Sequence, residues 1–222
     1  MVIQAFQLSK SFGNYRIFED LSFEIPAGEC FALFGSNGAG KTTLLRILAT
    51  LVRPTDGRFT VLGNDGVTGK ESVRQATMLL AHGSHLYDDL DAQENLRFAM
   101  AMRGLDPTPR ELKLSLDQVS LGAFSEMKTR NFSAGMKRRL ALAKVILAKP
   151  QVLLLDEPYN ALDEGGVQVT NHIICEVTQR EGVVVMTTHD RDKANLVAHR
   201  TGLLHHGILT FSRTDHIAHD IS

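Results

Sequence analysis

The sequence predicts an α/β protein: a core with a mainly parallel sheet, an N-terminal antiparallel β part, and a helical lobe inserted into the core. Three observations carry this. Short, wholly apolar runs stand at residues 30–34, 152–155 and 183–186, the pattern of strands buried on both faces. The first of them passes through a glycine-rich stretch, Gly35 to Gly40, directly into a helically spaced segment, which is the opening half of a parallel crossover unit. Between about residues 70 and 147 helical spacing replaces strand-like alternation.

Taken in order, Phe6-Gln7-Leu8 and Leu21-Ser22-Phe23-Glu24-Ile25 alternate with a period of two and read as strands. Pro26-Ala27-Gly28-Glu29 is a turn. Cys30 to Phe34 is a buried strand, and Lys41 to Leu48 has helical spacing. Helices are expected at 93–103, 109–119 and 135–148, with Pro107 and Pro109 in the loop between the first two. After them come a strand at 152–155, a helix at 165–180, a strand at 183–187 and a short helix at 192–198. Residues 202–210 read as a closing hairpin around His206-Gly207. The chain is thus expected to be one domain, with its core in residues 1–75 and 150–222 and the helical lobe at about 76–149.

Composition narrows the function. The 222 residues carry 24 basic and 25 acidic side chains, a net charge of -1, so the basic footprint typical of a nucleic-acid binder is absent and no nucleic-acid partner is expected. Cys30 and Cys175 lie far apart in apolar surroundings and read as buried thiols, not as a disulfide framework. The N-terminus lacks the features of a signal peptide, and no apolar run approaches the ~20 residues of a membrane helix. Any work at a membrane is therefore expected to go through a partner.

Gly35-Ser36-Asn37-Gly38-Ala39-Gly40-Lys41-Thr42 is a complete phosphate-loop pattern, set between a strand and a helix as that motif requires. Its glycines let backbone N–H groups turn towards the phosphates of a nucleotide, and the helix N-terminus adds partial positive charge. Lys41 supplies a mobile cation and Thr42 a hydroxyl for Mg²⁺; Thr43 follows at the same helix start. This defines a P-loop nucleotide-binding core for ATP.

Asp156 and Glu157 end the apolar strand at 152–155, the place where ligands sit in open α/β sheets. Asp156 is expected to hold Mg²⁺, and Glu157 to orient and deprotonate an attacking water. His189, in Thr187-Thr188-His189-Asp190, follows the next apolar strand and is placed to contact a γ-phosphate and that water.

Together the loop at Gly35, the Asp156-Glu157 pair and His189 resemble the Walker A, Walker B and switch-histidine motifs of the ABC ATPase family. Between them, Asn131-Phe132-Ser133-Ala134-Gly135-Met136 resembles that family's signature motif, usually Leu-Ser-Gly-Gly-Gln. Ser133 and Gly135 match, while Phe132, Ala134 and Met136 depart. Alone, Ser133-Ala134-Gly135 reads as a plain helix start. In order with the other motifs the match covers essentially the whole chain. The resemblance implies an ATPase coupled to transport, in which Ser133 and Gly135 of one subunit face the phosphates held by another. It further implies a homodimer or a paired second ATPase subunit, a separate transmembrane permease, and a peripheral place on the cytoplasmic face of the membrane.

The resemblance also makes Phe12 the candidate for stacking on adenine, with Tyr15 the weaker one, and likens Asn160-Ala161-Leu162-Asp163 to the D-loop. His82 stands where the family usually has a glutamine that senses Mg²⁺ and the attacking water; a histidine does so only when neutral, and a purely structural loop histidine is an equal reading. His205-His206 and His216 with His219 read as solvated histidines, not a metal site. The stretch from His82 to Gly104, with Leu86-Tyr87-Asp88-Asp89-Leu90, looks like haem-exporter and cytochrome c maturation ATPases, and also like short multidrug-exporter ATPases. Export is the expected direction. The alternative from another class is a soluble ABC ATPase acting on nucleic acid or ribosomes, which usually carries two cassettes, long coiled-coil insertions or zinc-binding cysteines. A small-molecule kinase would need no Ser133-Ala134-Gly135.

Overall fold

The computed structural model describes residues 2–81 and 86–213. Strand β1 (Ile3–Phe12) and strand β2 (Tyr15–Ile25) pair antiparallel, with Ile3 opposite Ile25 and Phe12 opposite Tyr15. Strand β3 (Cys30–Phe34), buried at every position, leads through the glycine loop to helix α1 (Lys41–Leu48). Strands β4 (Asp56–Val61) and β5 (Asn64–Asp65) complete a four-stranded antiparallel sheet in the order β2-β1-β4-β5. The antiparallel N-terminal part is thus as expected, although its β4 and β5 members carry no clear alternation in sequence.

Helix α2 (Lys70–Ala76) is followed at once by strand β6 (Thr77–Leu80). The lobe then consists of α3 (Ala92–Ala101), α4 (Pro109–Gln118) and α5 (Ala134–Ala148). Each starts where its cap dictates. Asp91 and Glu94 form a capping box on α3, Thr108 and Glu111 form another on α4 with Pro109 at its first position, and the Ser133 hydroxyl accepts from the Met136 N–H on α5. The core resumes with β7 (Val152–Asp156), α6 (Glu164–Gln179), β8 (Val183–Thr187), α7 (Arg191–Asn195) and the antiparallel hairpin of β9 (Arg200–His205) and β10 (Ile208–Arg213).

The second sheet runs β10-β9-β3-β8-β7-β6, and all its pairings are parallel except that of the hairpin. One boundary needs correction. The lobe was expected to begin at about residue 76, but Thr77–Leu80 is the edge strand of this core sheet, paired parallel with Val152–Leu155. Four residues are too few for periodicity to tell a strand from a helix, and the flanking helical patterns masked it.

Why the core strands lack alternation is now plain. Cys30, Ala32, Leu153, Leu155, Val184 and Met186 face a cluster that includes Leu96, Leu112, Leu116, Leu140 and Leu142 of the lobe and Ile174 of α6. Phe31, Leu33, Val152, Leu154, Val183 and Val185 face the other side, against Leu44, Leu45, Ile47 and Leu48 of α1 and Phe18 and Phe59 of the antiparallel sheet. Apolar contact on both faces selects a continuous apolar run. The polar chemistry is left to the strand ends, where β3 and β7 both stop beside α1.

Candidate functional site

The loop after β3 is shaped by its glycines. Gly35 has φ 154, and a Cβ there would meet the Leu204 carbonyl oxygen at 2.4 Å. Gly40 has φ 101 and caps α1; a Cβ there would meet Ile17 at 2.5 Å. Only a residue without a side chain permits both the conformation and the approach. Lys41 is 8% exposed, and its Nζ donates back to the carbonyls of Gly35 at 2.7 Å and Ser36 at 3.1 Å, which holds the cation over the loop.

Thr42, one residue on, reaches β7: its Oγ1 donates to Asp156 Oδ2 at 2.8 Å. Asp156 Oδ1 accepts from Thr187 Oγ1 at 2.6 Å, so both carboxylate oxygens are held and the group is 4% exposed. Thr187 was not among the expected site residues. Its hydroxyl ends an otherwise apolar strand, and the signal for it is its position opposite Asp156 in the parallel register.

Glu157 has φ 48, the left-handed region that a glutamate rarely adopts. Its N–H donates to the Thr187 carbonyl at 3.0 Å and approaches Thr187 Oγ1 at 3.2 Å. The kink turns the carboxylate out of the sheet, where Oε2 lies 3.0 Å from His189 Nδ1. At that distance an Nδ1–H tautomer of His189 donates to an ionised Glu157 carboxylate. The Glu157 side chain is 19% exposed and that of His189 71%.

These groups meet in one cleft of about 650 Å³. Asn37, Gly38, Gly40, Lys41, Thr42 and Thr43 line it from the loop and α1; Asp156, Glu157, Asn160 and His189 line it from the sheet ends. Tyr15 and Ile17 close its outer side. Ser36 and Ala39 line a neighbouring hollow together with His205 and His206, and Gly35 packs behind the loop. Lysine, loop N–H groups, a hydroxyl and carboxylates in that order suit a polyphosphate with a hard cation.

Other expected residues are not gathered there. Phe12 is 52% exposed at the tip of β1, with the Lys10 ammonium 4.5 Å above its ring, and is not among the lining residues. Tyr15, the weaker candidate, is. Ser133 and Gly135 also lie outside the cleft, at the start of α5, where a Cβ on Gly135 would meet the Ala161 carbonyl oxygen at 2.9 Å. His82 falls outside the described residues, as do His216 and His219. His205 and His206 stack edge to face at 4.1 Å, and no group of three or more His, Cys, Asp or Glu side chains suited to a metal occurs among the described residues.

Comparison with known proteins gives the family and the fold. Residues 18–160 match the ABC transporter family. The cytochrome c biogenesis ATP-binding export protein CcmA of Pseudomonas putida is 39% identical over 175 residues, covering 78% of this chain and 82% of that protein. The protein of the same description from Pseudomonas aeruginosa is 36% identical over 188 residues, covering 85% and 93%. A solved ATP-binding subunit of an ABC transporter superimposes with a TM-score of 0.89 at 25% identity, over 97% of this chain and 91% of that one.

Proposed function

The chain belongs to the ABC transporter family as an ATP-binding, ATP-hydrolysing subunit, and from that premise we propose that paired copies, or one copy and a second ATPase subunit, close around ATP to drive export through a separate membrane-spanning permease. The observation that carries the pairing is the separation of Ser133 and Gly135 from the cleft lined by Lys41, Thr42, Asp156, Glu157 and His189. These two expected phosphate contacts do not line the cleft of their own chain, and in this reading a second chain supplies them.

Within the cleft, Lys41 and the loop amides bind and orient the phosphates of ATP and stabilise charge that develops on the γ-phosphoryl oxygens. Glu157 takes a proton from water as its oxygen attacks the γ-phosphorus and the bond to the ADP oxygen breaks. His189 holds the Glu157 carboxylate in place through its Nδ1–H. The Thr42 hydroxyl and the Asp156 carboxylate are hard oxygen donors already 2.8 Å apart, a set that fits Mg²⁺. Bound there, Mg²⁺ neutralises phosphate charge. Tyr15, which lines the cleft, is the aromatic side chain we assign to stacking on adenine.

Among the described residues no helix is long and apolar enough to cross a membrane, which fits a peripheral subunit on the cytoplasmic face. The names of the relatives favour export linked to cytochrome c biogenesis; haem or a related group as cargo rests on the resemblance of residues 82–104 to haem-exporter ATPases. The near-neutral charge gives no support to the reading as a soluble ATPase on nucleic acid or ribosomes.

The test is ATP turnover by wild type and Glu157→Gln, with gel filtration of both in ATP and Mg²⁺. A Glu157→Gln chain whose turnover falls about a hundredfold or more, to a measurable residual rate, but which elutes as an ATP-dependent dimer supports the proposal. A variant as active as wild type removes Glu157 as the base, and a chain that stays monomeric in every nucleotide state removes the homodimer.

A further inference from the structure

Behind the β7 end, on the side away from the cleft, lies Arg138. It is on α5, five positions past the Ser133 cap, and is only 8% exposed. Its guanidinium donates Nε to the Pro158 carbonyl at 3.3 Å and Nη1 to the Ala81 carbonyl at 3.2 Å. Nη2 donates to the carbonyls of both Asp156, at 3.2 Å, and Glu157, at 3.1 Å. A guanidinium out of water is costly unless its N–H groups are met. Four carbonyls from the ends of β6 and β7 meet them here. The charges of Asp156 and Glu157 favour the cation, against the burial that disfavours it.

What those carbonyls belong to matters. A glutamate at φ 48 stays there only if its surroundings over-determine it. Thr187 takes the N–H of Glu157, and Arg138 takes its C=O. The two bonds fix the peptide planes on either side of the Glu157 Cα, and these fix the direction in which the side chain leaves the backbone. That direction brings the carboxylate to His189 and into the cleft.

We propose that Arg138 is a positioning residue for ATP hydrolysis: from the helix that begins at Ser133, it clamps the Glu157 carbonyl and so aims the carboxylate at the attacking water. The inference rests on the reading of Glu157 as the base. Arginine is suited because its planar fork reaches several carbonyls in one plane, whereas a lysine supplies a single point of contact. The same guanidinium holds Ala81 at the end of β6, where the chain leaves the core for the lobe. A shift of α5 against the core therefore moves the Glu157 carbonyl with it.

The experiment compares Arg138→Lys, Arg138→Met and Glu157→Gln in the full chain, reading ATP turnover, equilibrium binding of Mg²⁺-ATP and thermal unfolding. Both Arg138 variants should bind ATP within about threefold of wild type and keep its KM, while kcat falls about tenfold for lysine and about a hundredfold for methionine, the loss expected from a base misplaced by an ångström. Adding Arg138→Lys to Glu157→Gln should cause no further loss, because both changes act through one group. A kcat for Arg138→Lys within about twofold of wild type, an undiminished tenfold loss on the Glu157→Gln background, or ATP binding that weakens in step with turnover would each overturn the proposal. If Arg138→Met does not fold, Arg138→Lys decides by the same thresholds. Should Glu157→Gln itself turn over like wild type, the base assignment fails first, and that result is distinct from a failure at Arg138.

Discussion

Thr42 and Asp156 stand 114 positions apart in the chain, yet the hydroxyl of one donates to the carboxylate of the other at 2.8 Å. The bond ties the first turn of α1 to the end of β7, the two places from which a cation beside a nucleotide would be held. Thr42→Val keeps the shape and deletes the donor. Loss of this part-buried bond should cost about 1 kcal/mol of stability, read by thermal unfolding. The Mg²⁺ concentration for half-maximal ATP turnover should rise at least about tenfold, since one of two protein oxygen donors is gone.

Glu157 is held in the left-handed region, and glycine is at ease there. Glu157→Gly should therefore be more stable than Glu157→Ala by about 0.5–1 kcal/mol, measured by denaturant unfolding. Both should lose about a hundredfold or more in turnover, as expected for removal of a general base. Equal stabilities would mean that the kink carries no strain.

Adenine stacking separates Tyr15 from Phe12. Tyr15 lines the cleft and Phe12 does not. Tyr15→Ala should weaken ATP binding about tenfold, the scale of one lost base–aromatic stack, with Phe12→Ala within about twofold of wild type. Equilibrium binding of ATP to the two variants decides between them.

Much of the site was legible because phosphate chemistry dictates residue types at fixed spacing. Glycines at 35, 38 and 40, Lys41 and Thr42 have few structural substitutes, and an apolar strand ending in Asp156-Glu157 is a pattern that burial on two faces produces. The strand β6 was not legible, since four residues between two helices carry no period. Nor were Thr187 and Arg138. Their roles come from register and from the packing of α5 behind β7, which pair residues distant in sequence. The resemblance ranked Phe12 ahead of Tyr15, whereas Tyr15 and not Phe12 lines the cleft; the two lie opposite one another in a tight hairpin, and pairing across it is not read from sequence.

Asn95 holds the entry to the lobe. It is 1% exposed; its Oδ1 accepts the Tyr87 N–H at 2.8 Å, and its Nδ2 reaches the carbonyls of Tyr87, Leu90 and Asp91 at 3.1, 3.2 and 2.9 Å. Asn95→Leu leaves the Tyr87 N–H unmet, while the carbonyls of Tyr87, Leu90 and Asp91 keep the donors Thr129 Oγ1, Thr129 N–H and the residue 95 N–H, and should cost about 1–3 kcal/mol. Hydrogen exchange should quicken in α3 and in residues 86–91, with the six-stranded sheet still protected.

Lys144 lies in α5 with its pKa pushed down by burial to about 8. An unfolded lysine keeps its proton to a higher pH, so between about 8 and 10.5 the unfolded chain binds more protons and the folded state gains stability as pH rises. The buried Cys30 thiol, whose pKa burial raises, works in the opposite direction above its ordinary value. The Lys144 contribution is therefore the difference between wild type and Lys144→Met. That difference should change by on the order of 3 kcal/mol from pH 7 to pH 11, with the variant relatively more stable at the lower pH. Denaturant unfolding across the range measures it.

Strand β3 lies between β8 and β9, with Cys30 opposite Val184 and Phe31 opposite both Val185 and Arg200. A ribosome delivers β3 long before either neighbour, and at ~5–20 residues per second the wait is on the order of ten seconds. Through that interval the five consecutive apolar residues of β3 have neither strand to pair with. Although the glycine loop is translated early, the Leu204 backbone against which Gly35 packs is among the last parts of the sheet to be made.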